Sequence, residues 1–200
     1  MATSAVITAD IVNSTQLTKA QEKSLFRELN EALKEHHFEF YRGDSFQAYI
    51  KEPAAALALL LKLRMIAREA GPAFDIRAAT GIGDVPGPIK KLGVASGEAF
   101  LISGRAMDEL GKTNDTRLIL RSADAAMNTT LEVTALFIDY IFREMTSKQA
   151  KVLLILLNGG TQLAAAKKIR KSQSTIHKHV QSAGWAELSK LLGIYQQLFK

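Results

Sequence analysis

The sequence predicts an α+β fold: an N-terminal domain of alternating strands and helices, followed by an all-α C-terminal domain. Short β-branched apolar runs alternate with helical patterns in the first 85 residues, whereas only helical patterns occur after residue 145. The charge changes at the same point. Residues 1–145 carry 17 basic and 19 acidic side chains, and residues 146–200 carry nine basic side chains and one acidic side chain. We therefore predict two domains, 1–145 and 146–200.

The first six elements follow the order strand, helix, strand, strand, helix, strand. The strands are short and rich in β-branched or aromatic residues, and both helices have an apolar stripe at helical spacing. Gly43 and Asp44 form a turn signal between the second and third strands, and Pro53 opens the second helix. The predicted ranges are strand 4–12, helix 15–37, strand 37–41, strand 45–50, helix 52–71 and strand 73–85.

This βαββαβ order is that of the ferredoxin-like fold. In such a sheet the first and third strands are antiparallel neighbours, so the end of the first strand meets the start of the third. We therefore expect Asp10 and Asp44 to lie close together, although 34 positions separate them in the sequence. Two carboxylates at one point would suit a hard divalent cation, which prefers oxygen ligands.

The rest of the chain is predicted to be mainly helical. The predicted ranges are helix 96–112, strand 116–122, and helices 131–145, 146–158, 161–169, 172–183 and 185–199. The chain has no cysteine, which excludes disulfides, thiol catalysis and cysteine-ligated zinc. Its apolar runs are too short for a membrane span, and the first thirty residues lack a secretory signal pattern. We therefore predict a cytoplasmic protein with no membrane partner.

A helix-turn-helix pattern is present in the stretch TQLAAAKKIRKSQSTIHKHV. Thr161 and Ser172 are suitable N-caps for its two helices, and Ala166 is small where the helices would cross. Ile176 and Val180 form an apolar pair at i, i+4, which leaves short polar side chains on the outer face of the second helix. Such a face suits the major groove of double-stranded DNA.

The predicted contacts to DNA fall into two groups. Basic side chains next to the turn would hold phosphates, and polar side chains at the start of the second helix would meet base edges. The candidate residues are Gln162, Lys167, Lys168, Arg170, Lys171, Ser172, Gln173, Ser174, His177 and Lys178. The motif resembles that of many bacterial regulators, although Arg170 and Lys171 stand in the turn where a glycine and an aliphatic residue are usual.

Two alternatives remain open for this domain: a solvated basic surface with no partner, and an adaptor that binds an acidic protein. An adaptor would not retain duplex DNA at low salt. The last helix carries an apolar stripe that either packs onto the helix-turn-helix or forms a homodimer interface suited to an operator with two half-sites. The stripe consists of Leu188, Leu191, Leu192, Tyr195, Leu198 and Phe199.

In the N-terminal domain, the stretches ADIVNST and RGDSF resemble the palm domain of class III nucleotidyl cyclases. The resemblance implies that Asp10 and Asp44 hold divalent metals such as Mg²⁺ over a nucleotide triphosphate. Metals placed in this way bridge phosphate oxygens during an in-line displacement. The resemblance also implies four contacts to the nucleotide phosphates: Asn13, Ser14, Thr15 and Arg105.

Two departures from the cyclase pattern affect the reacting groups. Leu101 stands where the family carries an asparagine that stabilises the transition state, and Phe40 stands where it carries the base-selecting lysine. The resemblance therefore implies a domain that is not an active cyclase.

Structural roles are the alternative for the same side chains. Asp10 would cap the first helix or bond the hairpin backbone, and Asp44 would stabilise its turn. Arg105 would pair with Glu109, four residues further along the helix.

The whole chain is similar to the SatD family of bacterial proteins, which share a DIVNS-like start, a GDSFQ hairpin, a GIG strand and a C-terminal SQST helix-turn-helix. The resemblance implies a DNA-binding transcriptional regulator with a nucleotide-sensing or dimerising palm domain. The alternative is a metal-dependent enzyme that transfers or hydrolyses nucleotides with Asp10 and Asp44. Metal-dependent turnover of a nucleotide triphosphate that disappears in Asp44→Asn would distinguish the enzyme.

Overall fold

A computed structural model describes residues 2–87, 89, 91–113 and 115–200 of the chain. The described residues form one five-stranded mixed sheet and eight α-helices, so the α+β class is confirmed. The strands are β1 Ala2–Val12, β2 His37–Tyr41, β3 Ser45–Ile50, β4 Asp75–Val85 and β5 Leu118–Ser122. The helices are α1 Lys19–Leu33, α2 Ala56–Ala70, α3 Glu98–Leu110, α4 Ala125–Glu144, α5 Ser147–Leu157, α6 Gln162–Ile169, α7 Gln173–Ser182 and α8 Trp185–Gln197.

The strands lie in the order β2-β3-β1-β4-β5. β1 is antiparallel to both of its neighbours, β3 and β4, whereas β5 is parallel to β4. Alternate side chains of β1, such as Ile7 and Ile11, point into a core shared with α1, α2 and α4. The side chains between them point to the other face, part of which α3 covers. In that register Asp10 lies opposite Ser45 on one side and Arg77 on the other.

Helix α3 lies unusually close to the sheet because two glycines of β4 face it. A Cβ atom on Gly81 would lie 2.2 Å from the carbonyl oxygen of Ala99 and 2.5 Å from the amide nitrogen of Ser103. The close approach lets the Thr8 hydroxyl of β1 donate to the Ser103 hydroxyl of α3 at 3.1 Å. Gly81 is therefore required by packing against α3.

The first residues of α1 and α4 differ from those that the sequence predicts, and a side-chain cap explains each difference. α1 begins at Lys19 because Thr18 and Gln21 form a capping box, in which each side chain bonds the backbone of the other. α4 begins at Ala125, where the Asp124 side chain accepts a hydrogen bond from the amide of Ala126. Both caps are polar signals that lie outside the apolar periodicity on which the predicted limits depend.

A buried network of charged side chains joins α2, β4 and α4. Arg64 donates two hydrogen bonds to Asp75, at 3.0 and 2.8 Å, and a third to Asp139 at 2.6 Å. Arg68 pairs with the same Asp75 carboxylate at 2.8 Å. The Arg64 side chain is only 1% exposed, and its guanidinium lies 4.2 Å from the centre of the Phe142 ring. Every charge of this network therefore has an oppositely charged partner, as burial requires.

The C-terminal helices pack directly on the N-terminal part of the chain. Helices α5 and α2 contact each other along their lengths, and the buried Tyr195 hydroxyl of α8 donates to the Pro53 carbonyl oxygen at 3.1 Å. One continuous apolar core extends from the sheet to α8. The chain does change from α4 to α5 at Met145 and Thr146, but the division into two domains at this point stays a prediction. Among the described residues, no helix is both long and apolar enough to cross a membrane.

The turn between α6 and α7 places Arg170 in the left-handed region, with φ 56° and ψ 49°. The amide of Lys171 bonds the Ala166 carbonyl oxygen at 3.1 Å, and the amide of Arg170 bonds that of Lys167 at 3.3 Å. This pair of bonds is a Schellman motif, which usually has glycine at the left-handed position. Arg170 therefore adopts the left-handed conformation that glycine usually has at this position.

We expect Arg170→Gly to raise the free energy of unfolding by roughly 0.5–1 kcal/mol, because glycine adopts the left-handed conformation without the steric cost that a Cβ atom brings. Urea denaturation of the two proteins measures the difference. Lys171 is the matched control, since its φ is not positive. Glycine has no conformational advantage at that position, so Lys171→Gly should lower the free energy of unfolding by roughly the amount that Arg170→Gly raises it. Equal effects of the two substitutions would contradict the assigned role of Arg170.

Candidate nucleic-acid interface

Side-chain caps fix the start of both helices in the pair α6–α7. The Thr161 hydroxyl accepts a hydrogen bond from the amide of Ala164 at 3.1 Å, and the Ser172 hydroxyl accepts one from the amide of Thr175 at 3.2 Å. Both caps were predicted from the sequence, and the structure contains them. They start each helix at a defined residue, so the side chains that follow project in defined directions.

Helix α7 packs one side on its neighbours and leaves the other side in solvent. Ile176 and Val180 are buried against α5 and α6, together with Ala166. A hydrogen bond of 2.9 Å from the Gln149 amide to the Ser182 hydroxyl also holds α7 to α5. The opposite side is exposed and carries the predicted base contacts. These residues are Gln173, Ser174, His177 and Lys178, and the N-cap Ser172 is exposed next to them.

The predicted phosphate contacts belong to α6 and to the turn before α7. Lys167, Arg170 and Lys171 are exposed at the end of α6 and in the turn, and Gln162 is half-buried at the start of α6. The structure therefore leaves all of the predicted DNA contacts except Gln162 exposed on α6, on α7 or in the turn between them.

Lys168 has a different setting, because it lines a groove between α6 and the N-terminal helices. Glu28, Glu69 and Lys151 line the same groove. Burial raises the pKa of Glu69 above its ordinary value, and the nearby charges of Lys151 and Lys168 oppose the rise. Lys168 is thus exposed to solvent, and its positive charge also acts on the Glu69 carboxylate of the same chain.

The second candidate site is a polar cluster where β1, β3 and β4 meet. The Arg77 guanidinium binds the Asp10 carboxylate through two nitrogens, the shorter contact being 2.6 Å. Hydrogen bonding to Asp10 raises the pKa of Arg77, and the charge of Asp44 adds to the rise. The pair is partly buried, with 28% of the Arg77 side chain and 17% of the Asp10 side chain exposed. The negative charge of Asp10 is therefore largely neutralised within the sheet.

Asp44 stabilises the start of the segment that joins β1 to α1 through hydrogen bonds. Its carboxylate accepts a 2.6 Å hydrogen bond from the Ser14 hydroxyl and a 3.4 Å bond from the Ser45 hydroxyl. Its carbonyl oxygen accepts from the amide of Ile11 at 3.1 Å. The expected proximity of β1 and the hairpin is thus present, since Asp10 pairs in register with Ser45, the residue after Asp44.

The other predicted nucleotide contacts are spread more widely. Asn13 adopts a left-handed conformation with φ 59°, and its side-chain amide donates to the Ala73 carbonyl oxygen at 2.7 Å. Thr15 is exposed beside it, and Arg105 is exposed on α3. The proposed pair of Arg105 with Glu109 is not formed, because Glu109 accepts from Arg121 of β5 at 2.9 Å.

These side chains fit a divalent cation poorly. A metal next to Asp10 would stand beside the Arg77 guanidinium, whose positive charge repels it. Among residues 2–87, 89, 91–113 and 115–200, no three histidine or acidic side chains form a group that could hold a metal ion. The cluster instead has the contacts of a structural ion pair, whereas the structural role predicted for Asp10 is to cap the first helix or to bond the hairpin backbone; Thr18 caps that helix.

Sequence reasoning missed Arg77 and the buried Arg64 network. A signal for Arg77 was present, because β-strand alternation places it on the face of β4 that Asp10 occupies on β1. No comparable signal existed for Arg64, whose partner Asp139 lies 75 positions further along the chain. Comparison with models of known protein families finds no match, and comparison with curated proteins finds no significant match.

Proposed function

We propose that this chain is a DNA-binding transcriptional regulator in which α6 and α7 form a helix-turn-helix and α7 reads the operator. The observation that carries the proposal is the exposure of the polar side of α7 beside an exposed basic turn. Gln173 is suited to a bidentate contact with adenine, and Lys167, Arg170 and Lys171 are suited to phosphates. The first 145 residues would form a ferredoxin-like palm domain, in accordance with the resemblance to the SatD family.

The charge distribution supports the same proposal. Residues 146–200 carry nine basic side chains against the single acidic residue Glu187. A basic surface next to helix N-termini is the electrostatic pattern of a protein that binds a polyanion. Neither a solvated surface nor an adaptor for acidic proteins requires the caps, the left-handed turn and the exposed polar helix to occur together.

For the N-terminal domain we propose a sensing or dimerising role without catalysis. Asn13, Ser14 and Thr15 follow the end of β1, where a nucleotide phosphate would meet the exposed side chains of Asn13 and Thr15. A bound nucleotide would regulate DNA binding only if it favoured one arrangement of the protein over another. The metal-dependent enzyme remains the alternative, and its acidic pair is less suited to catalysis because Arg77 and Ser14 already bind the two carboxylates.

The proposal is tested by duplex binding at several salt concentrations. We select a binding sequence from random duplexes with the full chain and measure affinity by fluorescence anisotropy. The affinity should fall steeply with salt, by about 10²-fold between 50 and 200 mM if four phosphates are contacted. Gln173→Ala should reduce the preference for the selected sequence over a scrambled one and change scrambled-duplex affinity little. Absence of duplex binding at 50 mM salt would contradict the proposal.

A further inference from the structure

Helix α4 is apolar on two opposite sides, and only one of them is covered. Leu131, Ile138 and Phe142 are buried in the main core. On the solvent side, a second set of large apolar side chains recurs at positions i, i+3, i+4 and i+7. This exposed α4 stripe consists of Val133, Leu136, Phe137 and Tyr140, which are 62%, 60%, 37% and 68% exposed.

A helix with apolar side chains all round is normally buried on all sides. The exposed α4 stripe holds four of the nine large apolar side chains that are exposed among the described residues, and its spacing places all four on one line along the helix. Beside it runs a groove of about 340 Å³ between α3, β5 and α4, and Leu136 borders both. A contiguous apolar surface of this kind marks an interaction site.

We infer that the exposed α4 stripe is a dimer interface, which binds the α4 stripe of a second copy of this chain in the antiparallel direction. The charges that flank the stripe determine the direction. Glu132 and Arg143 are both exposed, and they are 11 positions apart, about three helical turns, so they lie on the same flank.

An antiparallel pair centred between Leu136 and Phe137 brings Glu132 of each copy next to Arg143 of the other. The two residues lie 4.5 and 6.5 positions from that centre, so their axial offset is two residues, or about 3 Å. A parallel two-fold pair would instead place this flank of the two copies on opposite sides of the interface, so that Glu132 and Arg143 would form no contact between copies. A two-fold interface uses the same patch on both copies, so each antiparallel dimer gains the opposite-charge contact twice.

The apolar stripe of α8 does not offer the same surface. Leu188 and Tyr195 are buried within the chain, and the remaining members of that stripe are half-buried. The interface on α4 deepens the proposed function, because a dimer would present two α7 helices to two half-sites. It does not depend on that function, since self-association is measured without DNA.

The test is sedimentation velocity of the full chain across a concentration series. The wild-type chain should dimerise, and Leu136→Lys should weaken the dimer at least tenfold, because each interface would then bury two ammonium groups. Ile194→Lys is the matched control, since Ile194 is 51% exposed on α8. It should leave the dimerisation constant unchanged.

Charge exchange tests the antiparallel direction. Glu132→Arg and Arg143→Glu should each weaken the dimer, and the protein with both substitutions should recover the wild-type constant. A wild-type chain that stays monomeric at every concentration would overturn the inference. So would a dimer that is insensitive to Leu136→Lys, or one that only Ile194→Lys disrupts. Failure of the duplex-binding experiment alone would refute the DNA-binding proposal and leave a measured dimer intact.

Discussion

Replacing Arg64 with methionine is expected to lower the free energy of unfolding by about 3–5 kcal/mol, the cost of leaving buried charges without their partner. Methionine fills much of the same volume, so the loss arises mainly from electrostatics and hydrogen bonding. Asp139 would keep only the amides of Arg117 and Leu118, at 2.8 and 3.1 Å. Urea denaturation measures the change, provided that the m-value stays the same.

The matched control is Arg27→Met on α1. The Arg27 side chain is 75% exposed, and its contact with Glu28 is 3.6 Å long. Its removal should change stability by less than about 0.5 kcal/mol. If Arg64→Met is too unstable to purify, Asp139→Asn gives a milder loss of about 1–3 kcal/mol, because the amide retains part of the hydrogen bonding. A loss below 1 kcal/mol in both variants would show that the network is dispensable.

Reversing four charges beside α7 is expected to abolish measurable duplex binding at moderate salt. Each phosphate that a basic side chain neutralises adds about −0.9 to the slope of log affinity against log salt concentration. The variant should therefore lose at least about 10²-fold in affinity at 50 mM salt and show almost no remaining salt dependence. The substituted residues are Lys167, Lys168, Arg170 and Lys171, each changed to Glu.

The matched control has the same net charge change on the N-terminal part of the chain. It reverses four exposed lysines, Lys19, Lys23, Lys51 and Lys112. This variant should keep most of its affinity, so a difference between the two proteins reports position and not total charge. Because Lys168 lies near Glu28 and Glu69, a triple variant that retains Lys168 separates lost DNA contacts from lost stability. Full affinity in both reversed proteins would refute the proposed surface.

Local signals predicted much of the structure. The strands, the hairpin, and the caps at Thr161 and Ser172 each depend on residues within a few positions of one another, and the sequence contains those residues in the expected pattern. The proximity of Asp10 to the hairpin followed from strand order. Its partner Arg77 is the one basic residue on the two strands beside β1, but the pairing also requires the register that sets Asp10 opposite Arg77, and the sequence alone does not give that register.

The buried network and the exposed α4 stripe were harder to predict for opposite reasons. Arg64 belongs to a strongly apolar helix. Without knowledge of its distant partners, the sequence would place its charge on the solvent-exposed side of that helix. α4 has apolar residues on both sides, and the sequence does not indicate which side meets the sheet. Only the packing against β5 shows that Leu131 is covered and that Leu136 is left in solvent.

The contact between α5 and α2 has a consequence for how the protein can be divided. Val152 and Leu153 of α5 are completely buried, in a core that also contains residues of α2. A fragment that begins at Thr146 would expose that apolar surface to water and would tend to aggregate. Residues 1–145 and 146–200 should also unfold in a single calorimetric transition, because unfolding either part would expose the core that both share. Any ligand that stabilises residues 1–145 would therefore also protect helices α5 to α8 against unfolding.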